Sequence, residues 1–256
     1  MQLPLIPAGM HAKAWPPVLA TRGPAGPCLW HSHHALRFAI AVDGEVRIRT
    51  SRQGKWASAA GVLTAPDVAH ALDAQGEQLL LVFLEPESVI GACFRAAING
   101  PVRLISEAER KALTRDVVPR EILRSGARAW AERATQCMGI EALPAPSSVH
   151  PRVRALLALL RGGGIGEATS LEQLAEAVGL SPSRLMHVFT ESVGIPLRPY
   201  LAWLRVQRAA MDIVGGSSLT ETAHVAGFSD AAHMSRTFRR MLGISPSALR
   251  VMRCSV

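Results

Sequence analysis

One pattern occurs twice in the last third of the chain. Ser170-Leu-Glu-Gln-Leu-Ala-Glu-Ala-Val-Gly179 and Ser218-Leu-Thr-Glu-Thr-Ala-His-Val-Ala-Gly227 each open on a helix-capping serine and close on a glycine. Glycine ends a helix in the left-handed conformation at no steric cost. Each pattern leads at once into a second helix. After the first, Ser181 and Pro182 open a helix with Leu185 and Phe189 four apart on its inner face. After the second, Ser229 is the expected cap and Met234 and Phe238 are the inward pair. A short helix, a glycine turn and a second helix leave the outer face of the second helix for a partner.

Those outer faces carry Ser183, Met186, His187 and Thr190 in the first unit, and Ala232, Ser235, Arg236, Arg239 and Arg240 in the second. The arginines are donors suited to base edges and phosphates. Between the units, residues 198–214 have the periodicity of one amphipathic helix, roughly 25 Å long at ~1.5 Å per residue. A rigid spacer of that kind can set two reading helices into successive major grooves, ~34 Å apart. A plain helical bundle explains one such unit. Matched caps, matched turn glycines and a spacer in two units point to double-stranded DNA.

Charge agrees without carrying the argument. Lys and Arg number 28 against 20 Asp and Glu in 256 residues, and the excess is about +3 before residue 148 and +5 after it. This suits a polyanionic partner but is no basic tail. Cys28, Cys93, Cys137 and Cys254 form no CxxC pair and are read as reduced thiols. Pro4, Pro7, Lys13, Pro16 and Pro17 interrupt the start of the chain, and no apolar run reaches the ~18 residues of a membrane span. A cytoplasmic protein with no membrane partner is expected.

The first half reads differently. Short apolar runs at 36–42, 45–50, 61–64 and 78–84 have no helical pattern between them, and Asp43-Gly44 has the composition of a hairpin turn with both residues at positive φ. An antiparallel sandwich or small barrel follows. After Pro86, residues 87–99, 107–117 and 120–138 change to helical spacing, with Ser106 and Glu109 forming a capping box. Residues 141–150, with Pro144 and Pro146, mark a boundary. The expected fold is α+β: a β-barrel with appended helices over 1–140, and an all-α domain of two helix-turn-helix units joined by a linker helix over 151–256.

The run Gly227-Phe-Ser-Asp-Ala-Ala-His-Met-Ser-Arg-Thr-Phe-Arg-Arg-Met-Leu-Gly-Ile-Ser-Pro-Ser-Ala-Leu-Arg250 resembles the signature of the AraC/XylS family of transcription regulators, and residues 171–208 resemble its first half. The resemblance covers residues 151–253. It implies a sequence-specific regulator, not an enzyme, and puts base-reading slots on Ser183, Met186 and His187 and on Ala232, Ser235 and Arg236. It also implies a homodimer, with RNA polymerase as a further partner, and favours the apolar stripes of Ile122, Ala129 and Trp130 as a dimer seam over a mere cover for the barrel. Thr222 stands where the family has an aliphatic residue, and Met186 and Ala232 replace longer polar side chains.

His31-x-His33 followed by Gly44, then Gly61-x4-Pro66-x3-His70, resembles the two motifs of the cupin barrel, a sensing domain in many relatives of that family. Strand residues two apart share a face, so His31 and His33 can face inward with His70 opposite. One occupant is a divalent metal on the three imidazoles. The cupin pattern expects a glutamate ligand where this chain has Arg37. His31, His33, Arg37 and His70 together make a positive pocket better suited to an anionic small-molecule effector. Ala39 and Ala41 share the parity of Arg37 and leave room beside it. His34 and His11 are read as surface residues, and Trp30 and Trp56 as core or pocket wall. The competing reading is a cupin-type metal-dependent enzyme fused to a DNA-binding domain.

Overall fold

The computed structural model describes residues 19–117, 122, 128–141, 149–161 and 170–253. Most of the expected boundary (142–148), the first part of the 120–138 helix, His11 and Cys254 lie outside them. No described helix is long and apolar enough to cross a membrane. Cys28, Cys93 and Cys137 form no disulfide among the described residues.

Among the described residues, nine strands form two antiparallel sheets: β1 (Leu19–Pro24), β2 (Cys28–His31), β3 (Leu36–Ala41), β4 (Val46–Arg49), β5 (Ala57–Ala59), β6 (Gly61–Thr64), β7 (His70–Asp73), β8 (Gln78–Leu84) and β9 (Val102–Ile105). The first sheet runs β1-β8-β3-β6-β9 and the second β2-β7-β4-β5. No strand is shared, so the described strands make a two-sheet sandwich, not the closed barrel expected. Asp43-Gly44 is a correction of the same kind. Only Gly44 has positive φ (+69°), and β3 and β4 lie in different sheets, so the turn passes the chain across the sandwich instead of closing a hairpin.

The appended helices are α1 (Val89–Ala97), α2 (Glu107–Thr114) and α3 (Arg128–Cys137). The Ser106–Glu109 capping box is present on α2. Alternation on β3 sorts its side chains in two directions. Leu36, Phe38 and Ile40 face outward onto Phe94, Leu113, Ile122 and Trp130, with the Trp130 indole donating to the Leu113 carbonyl. Ile122 and Trp130 are thereby buried against the sheet, and Ala129 is the exposed member of the stripe. The stripe covers the sandwich and is not free to serve as a dimer seam.

The second half contains α4 (Pro151–Arg161), α5 (Leu171–Ala177), α6 (Pro182–Val193), α7 (Leu197–Gly215), α8 (Leu219–Val225), α9 (Ala231–Leu242) and α10 (Pro246–Arg253). Ser170 and Gln173 form a full capping box, and Ser181 caps α6 with Pro182 in its first turn. Asp230 caps α9, one residue past the expected Ser229. The carboxylate of Asp230 accepts from the His233 amide, while the Ser229 hydroxyl only supports it. Gly179 and Gly227 take positive φ (+66° and +71°) at the two turns, as the pattern requires. The spacer α7 is 19 residues long, or ~28 Å.

The two halves share a core. Ala39, Ala41, Ile48, Leu72 and Leu81, on the inner faces of the sheets, join Trp203, Phe238, Leu242 and Leu249 of the helices in one buried cluster. Burying the larger aliphatic and aromatic members of this set stabilises the contact by ~1.5–3 kcal/mol each.

Candidate ligand pocket and nucleic-acid interface

The structure gathers the four expected pocket residues. Arg37 lies on β3 opposite Thr64 and Phe83, while His31 on β2 pairs with His70 on β7 in the facing sheet. All four side chains are buried. Arg37 Nη1 donates to His31 Nε2 at 2.9 Å and Nη2 to His70 Nε2 at 2.5 Å. A guanidinium only donates, so both Nε2 atoms accept, and the proton of each ring sits on Nδ1. There it meets a backbone carbonyl: Leu29 for His31 (2.6 Å) and Val68 for His70 (2.8 Å). Burial and the Arg37 charge drive the His31 pKa down to about 3 and that of His70 to about 2. His33, held well below its ordinary value for the same two reasons, stacks on Trp203 of α7 at 5.5 Å. These are neutral imidazoles.

Ligand atoms of His31, His33 and His70 lie within 4.8 Å of one another, close enough for one metal ion. The arrangement nevertheless does not fit one. Two of the three lone pairs are taken by Arg37, and a buried cation stands where a second cation would have to approach. Arg37 has no acidic partner within ion-pair distance among the described residues, and its Nε has no hydrogen bond. Burial lowers its pKa to about 10, with Cys28 opposing that shift, which still leaves it charged at neutral pH.

Beside the guanidinium is a cleft, partly open to solvent, with a cavity volume of about 50 Å³. Leu72, Leu79, Leu81 and Phe83 line it from the sheets, and Leu242, Ile244 and Leu249 from α9, α10 and the turn between them. Cys28 also borders it. Burial raises the Cys28 pKa, so it stays a thiol. The cleft is therefore an apolar slot with one cation at its wall.

Several residues that hold this region escaped sequence reasoning. The Gly243 carbonyl, at the end of α9, accepts from the Leu29 amide at 2.9 Å, and a Cβ on Gly243 would lie 2.5 Å from His31 Nδ1. Glu85, buried at the end of β8, accepts from Arg161 of α4 and from Gln207 of α7 at 2.9 Å. Arg161 also donates to the Tyr200 hydroxyl. None of these belongs to a local motif; each pairs residues distant in sequence. His34, expected at the surface, is 4 % exposed and bonded to Asp67 and Glu87, both at 2.7 Å. Two carboxylates converge on it because Asp67, in the β6–β7 turn, and Glu87, after β8, meet at that end of the sandwich. Trp56 is also corrected: it is 38 % exposed, under arginines on the outer surface.

The outward faces stand as expected. Ser183, Met186, His187 and Thr190 on α6 are exposed, as are Ala232, Arg236, Arg239 and Arg240 on α9, with Ser235 half-buried. Leu185, Phe189, Met234 and Phe238 are buried. His187 is paired with Glu191 at 3.2 Å. Arg236, Arg239 and Arg240 present their charge to solvent on one side of α9.

Residues 174–252 match the family model described as a helix-turn-helix domain. The HTH-type transcriptional regulator RipA of Corynebacterium glutamicum is 28 % identical over 192 residues, covering 74 % of this chain and 54 % of the relative. An uncharacterized HTH-type transcriptional regulator of Staphylococcus aureus is 36 % identical over 85 residues, or 33 % of this chain and 11 % of the relative. The chain thus spans about half the length of the first relative and far less of the second. Its fold is similar to that of ToxT from Vibrio cholerae, with a TM-score of 0.59 at 10 % identity over 93 % of this chain and 98 % of that one. ToxT has also been solved with an unsaturated fatty acid bound, and that structure aligns with a TM-score of 0.52 at 11 % identity over 91 % of this chain and 95 % of that one. The fold is a mixed α+β one with a C-terminal helix-turn-helix domain. Residues 174–252 thus carry a helix-turn-helix domain, and the chain is similar to HTH-type transcriptional regulators.

Proposed function

We propose that this chain is a cytoplasmic, sequence-specific DNA-binding transcription regulator, not an enzyme, controlled by a small anionic molecule with an apolar body. Two reading units, α5–α6 and α8–α9, contact successive major grooves of double-stranded DNA across the spacer α7. Ser183, Met186, His187 and Thr190 form the contact surface of one unit, and Ala232, Ser235, Arg236, Arg239 and Arg240 that of the other. A second copy of the chain and RNA polymerase are the expected protein partners, with the dimer contact lying elsewhere than Ile122 and Trp130. The sandwich is the cupin-like sensing domain, with Arg37 as the anion's partner and His31, His33 and His70 as its neutral supports.

The observation that carries this reading is the Arg37 guanidinium, buried without an acidic partner among the described residues at the wall of an apolar cleft. A carboxylate supplies the missing countercharge, and an apolar tail suits Leu72, Leu79 and Phe83. The fatty acid bound by ToxT is of the same chemical kind. A cavity of about 50 Å³ is too small for such a tail. Binding therefore parts Leu242, Ile244 and Leu249 from the sheets, which loosens the seat of α9. Ligand and DNA-reading helix are coupled through competition for one surface.

The test is calorimetric titration of straight-chain and aromatic carboxylates into the full chain and into Arg37→Met. Loss of a buried charge-assisted pair is expected to weaken binding by about 2–5 kcal/mol, while DNA binding without ligand is retained. Equal carboxylate affinity in the two proteins refutes Arg37 as the anion's partner.

A further inference from the structure

The β4–β5 hairpin carries a surface that neither the pocket nor the reading helices use. Val46 and Ile48 point into the sandwich, so Arg47 and Arg49 point out. Both lie over the Trp56 ring, at 5.5 and 4.8 Å from its centroid, and Arg52 lies over the Trp30 ring at 5.3 Å. Arg52, Lys55 and Trp56 are exposed and Arg49 half-buried. Arg47 is paired with Asp73 at 2.5 Å. Arg49, Arg52 and Lys55 have no carboxylate within ion-pair distance among the described residues. Stacking on indole fixes the guanidiniums in place, and although Arg49 Nη1 donates to the Arg52 carbonyl at 3.1 Å, a guanidinium has further edge donors to offer. The result is a preorganised set of cations for a polyanion.

Its position selects which polyanion. Trp30 lies on β2, whose neighbour Leu29 is hydrogen-bonded to Gly243 at the end of α9. From Arg236 to Gly243 is seven residues of chain, ~10 Å of helix. β4 lies two strands from β2 across β7, a further ~10 Å. The cluster therefore stands roughly 20 Å from the arginine expected to read bases, less than the ~34 Å of one DNA turn.

We infer that Arg49, Arg52 and Lys55, held by Trp56 and Trp30, contact the phosphate backbone of DNA flanking the site read by α9. This makes the sensing domain part of the DNA-binding surface. The inference rests on the proposal that α9 reads DNA. It also gives the sensor a second way to act on affinity, since any ligand that unseats α9 from β2 separates the two contact surfaces.

The experiment uses the full chain and the variant Arg49→Gln/Arg52→Gln/Lys55→Gln, all exposed or half-exposed positions outside the core. The probe is a site selected by the wild-type chain from a random duplex library, made once with flanks of about two helical turns per side and once trimmed to the region protected by the reading units. Binding is measured against salt concentration. On the flanked duplex the triple variant is expected to bind about tenfold or more weakly, with its slope of log affinity on log salt reduced by roughly 2–3. On the trimmed duplex it should equal wild type. An unchanged slope on the flanked duplex overturns the inference, as does loss of binding to phosphatidylserine vesicles in its place. Arg239→Gln/Arg240→Gln serves as the reference. If that variant is weakened on both duplexes, the reading proposal stands independently of the hairpin result; if it is unimpaired on both, the reading proposal itself fails.

Discussion

Glu85 ties the sandwich to the helical half, and its removal should cost a large part of the stability of their contact. Its carboxylate is 2 % exposed and receives Arg161 and Gln207, from two different helices. Glu85→Ala leaves the Arg161 guanidinium, 17 % exposed, without its closest countercharge. Breaking a buried pair from one side costs about 3–5 kcal/mol. Glu87, 3.9 Å from Arg161, recovers some of that, though it is already engaged with His34. The Gln207 amide also loses its acceptor, about 1 kcal/mol or more. The expected total is about 3–4 kcal/mol. Glu85→Gln should be milder, about 1–2 kcal/mol, because it keeps the shape and an acceptor. Burial already raises the Glu85 pKa, against the pull of Arg161, so a neutral group there is less foreign than the pairing suggests. Urea denaturation followed by circular dichroism measures both variants. An alanine variant within ~0.5 kcal/mol of wild type, the usual range of a surface change, would refute the reasoning.

Gly243→Ala should destabilise the protein by about 2–4 kcal/mol, combining the ~1–2 kcal/mol cost of a left-handed residue with overpacking against His31. Thermal unfolding should show a clearly smaller loss for Gly194→Ala, where φ is also positive but no atom lies within 4 Å of the added Cβ. His34 makes stability depend on pH. Burial opposes its charge, but Asp67 and Glu87 outweigh burial and raise its pKa to about 9 from 6.5. Its stabilisation is therefore full below about pH 6.5 and lost as pH rises through about 9, on the order of 3 kcal/mol. Unfolding titrations of His34→Gln should lack that step, and an identical pH profile would reject it. Arg236→Ala should weaken specific DNA binding by ~1–3 kcal/mol, and footprinting that shows unchanged base preference would remove it as a reader.

The repeated cap–helix–glycine pattern determined the helical half from local chemistry alone. Ser170, Gln173, Ser181, Gly179 and Gly227 act within a few residues of themselves, so their roles survive without knowledge of the rest of the chain. The same holds for the outward faces of α6 and α9, which helical period assigns directly. On β3, strand parity placed Arg37 with Ala39 and Ala41, whereas His31 ends β2 in the facing sheet and His33 lies past the end of that strand, so parity does not account for the place of His33 in the pocket. Only the tertiary structure decided what those groups do to one another. That Arg37 spends its donors on His31 and His70, instead of leaving room for a metal, depends on two facing sheets. That His34 is buried depends on Asp67 and Glu87 arriving from separate turns, and that Asp43-Gly44 crosses between sheets depends on strand order. The bonds of Gly243 to Leu29 and of Glu85 to Arg161 and Gln207 join residues 76 to 214 positions apart. Contacts at such separations leave no period in the sequence, because they follow from where whole elements dock and not from the conformation of any one of them.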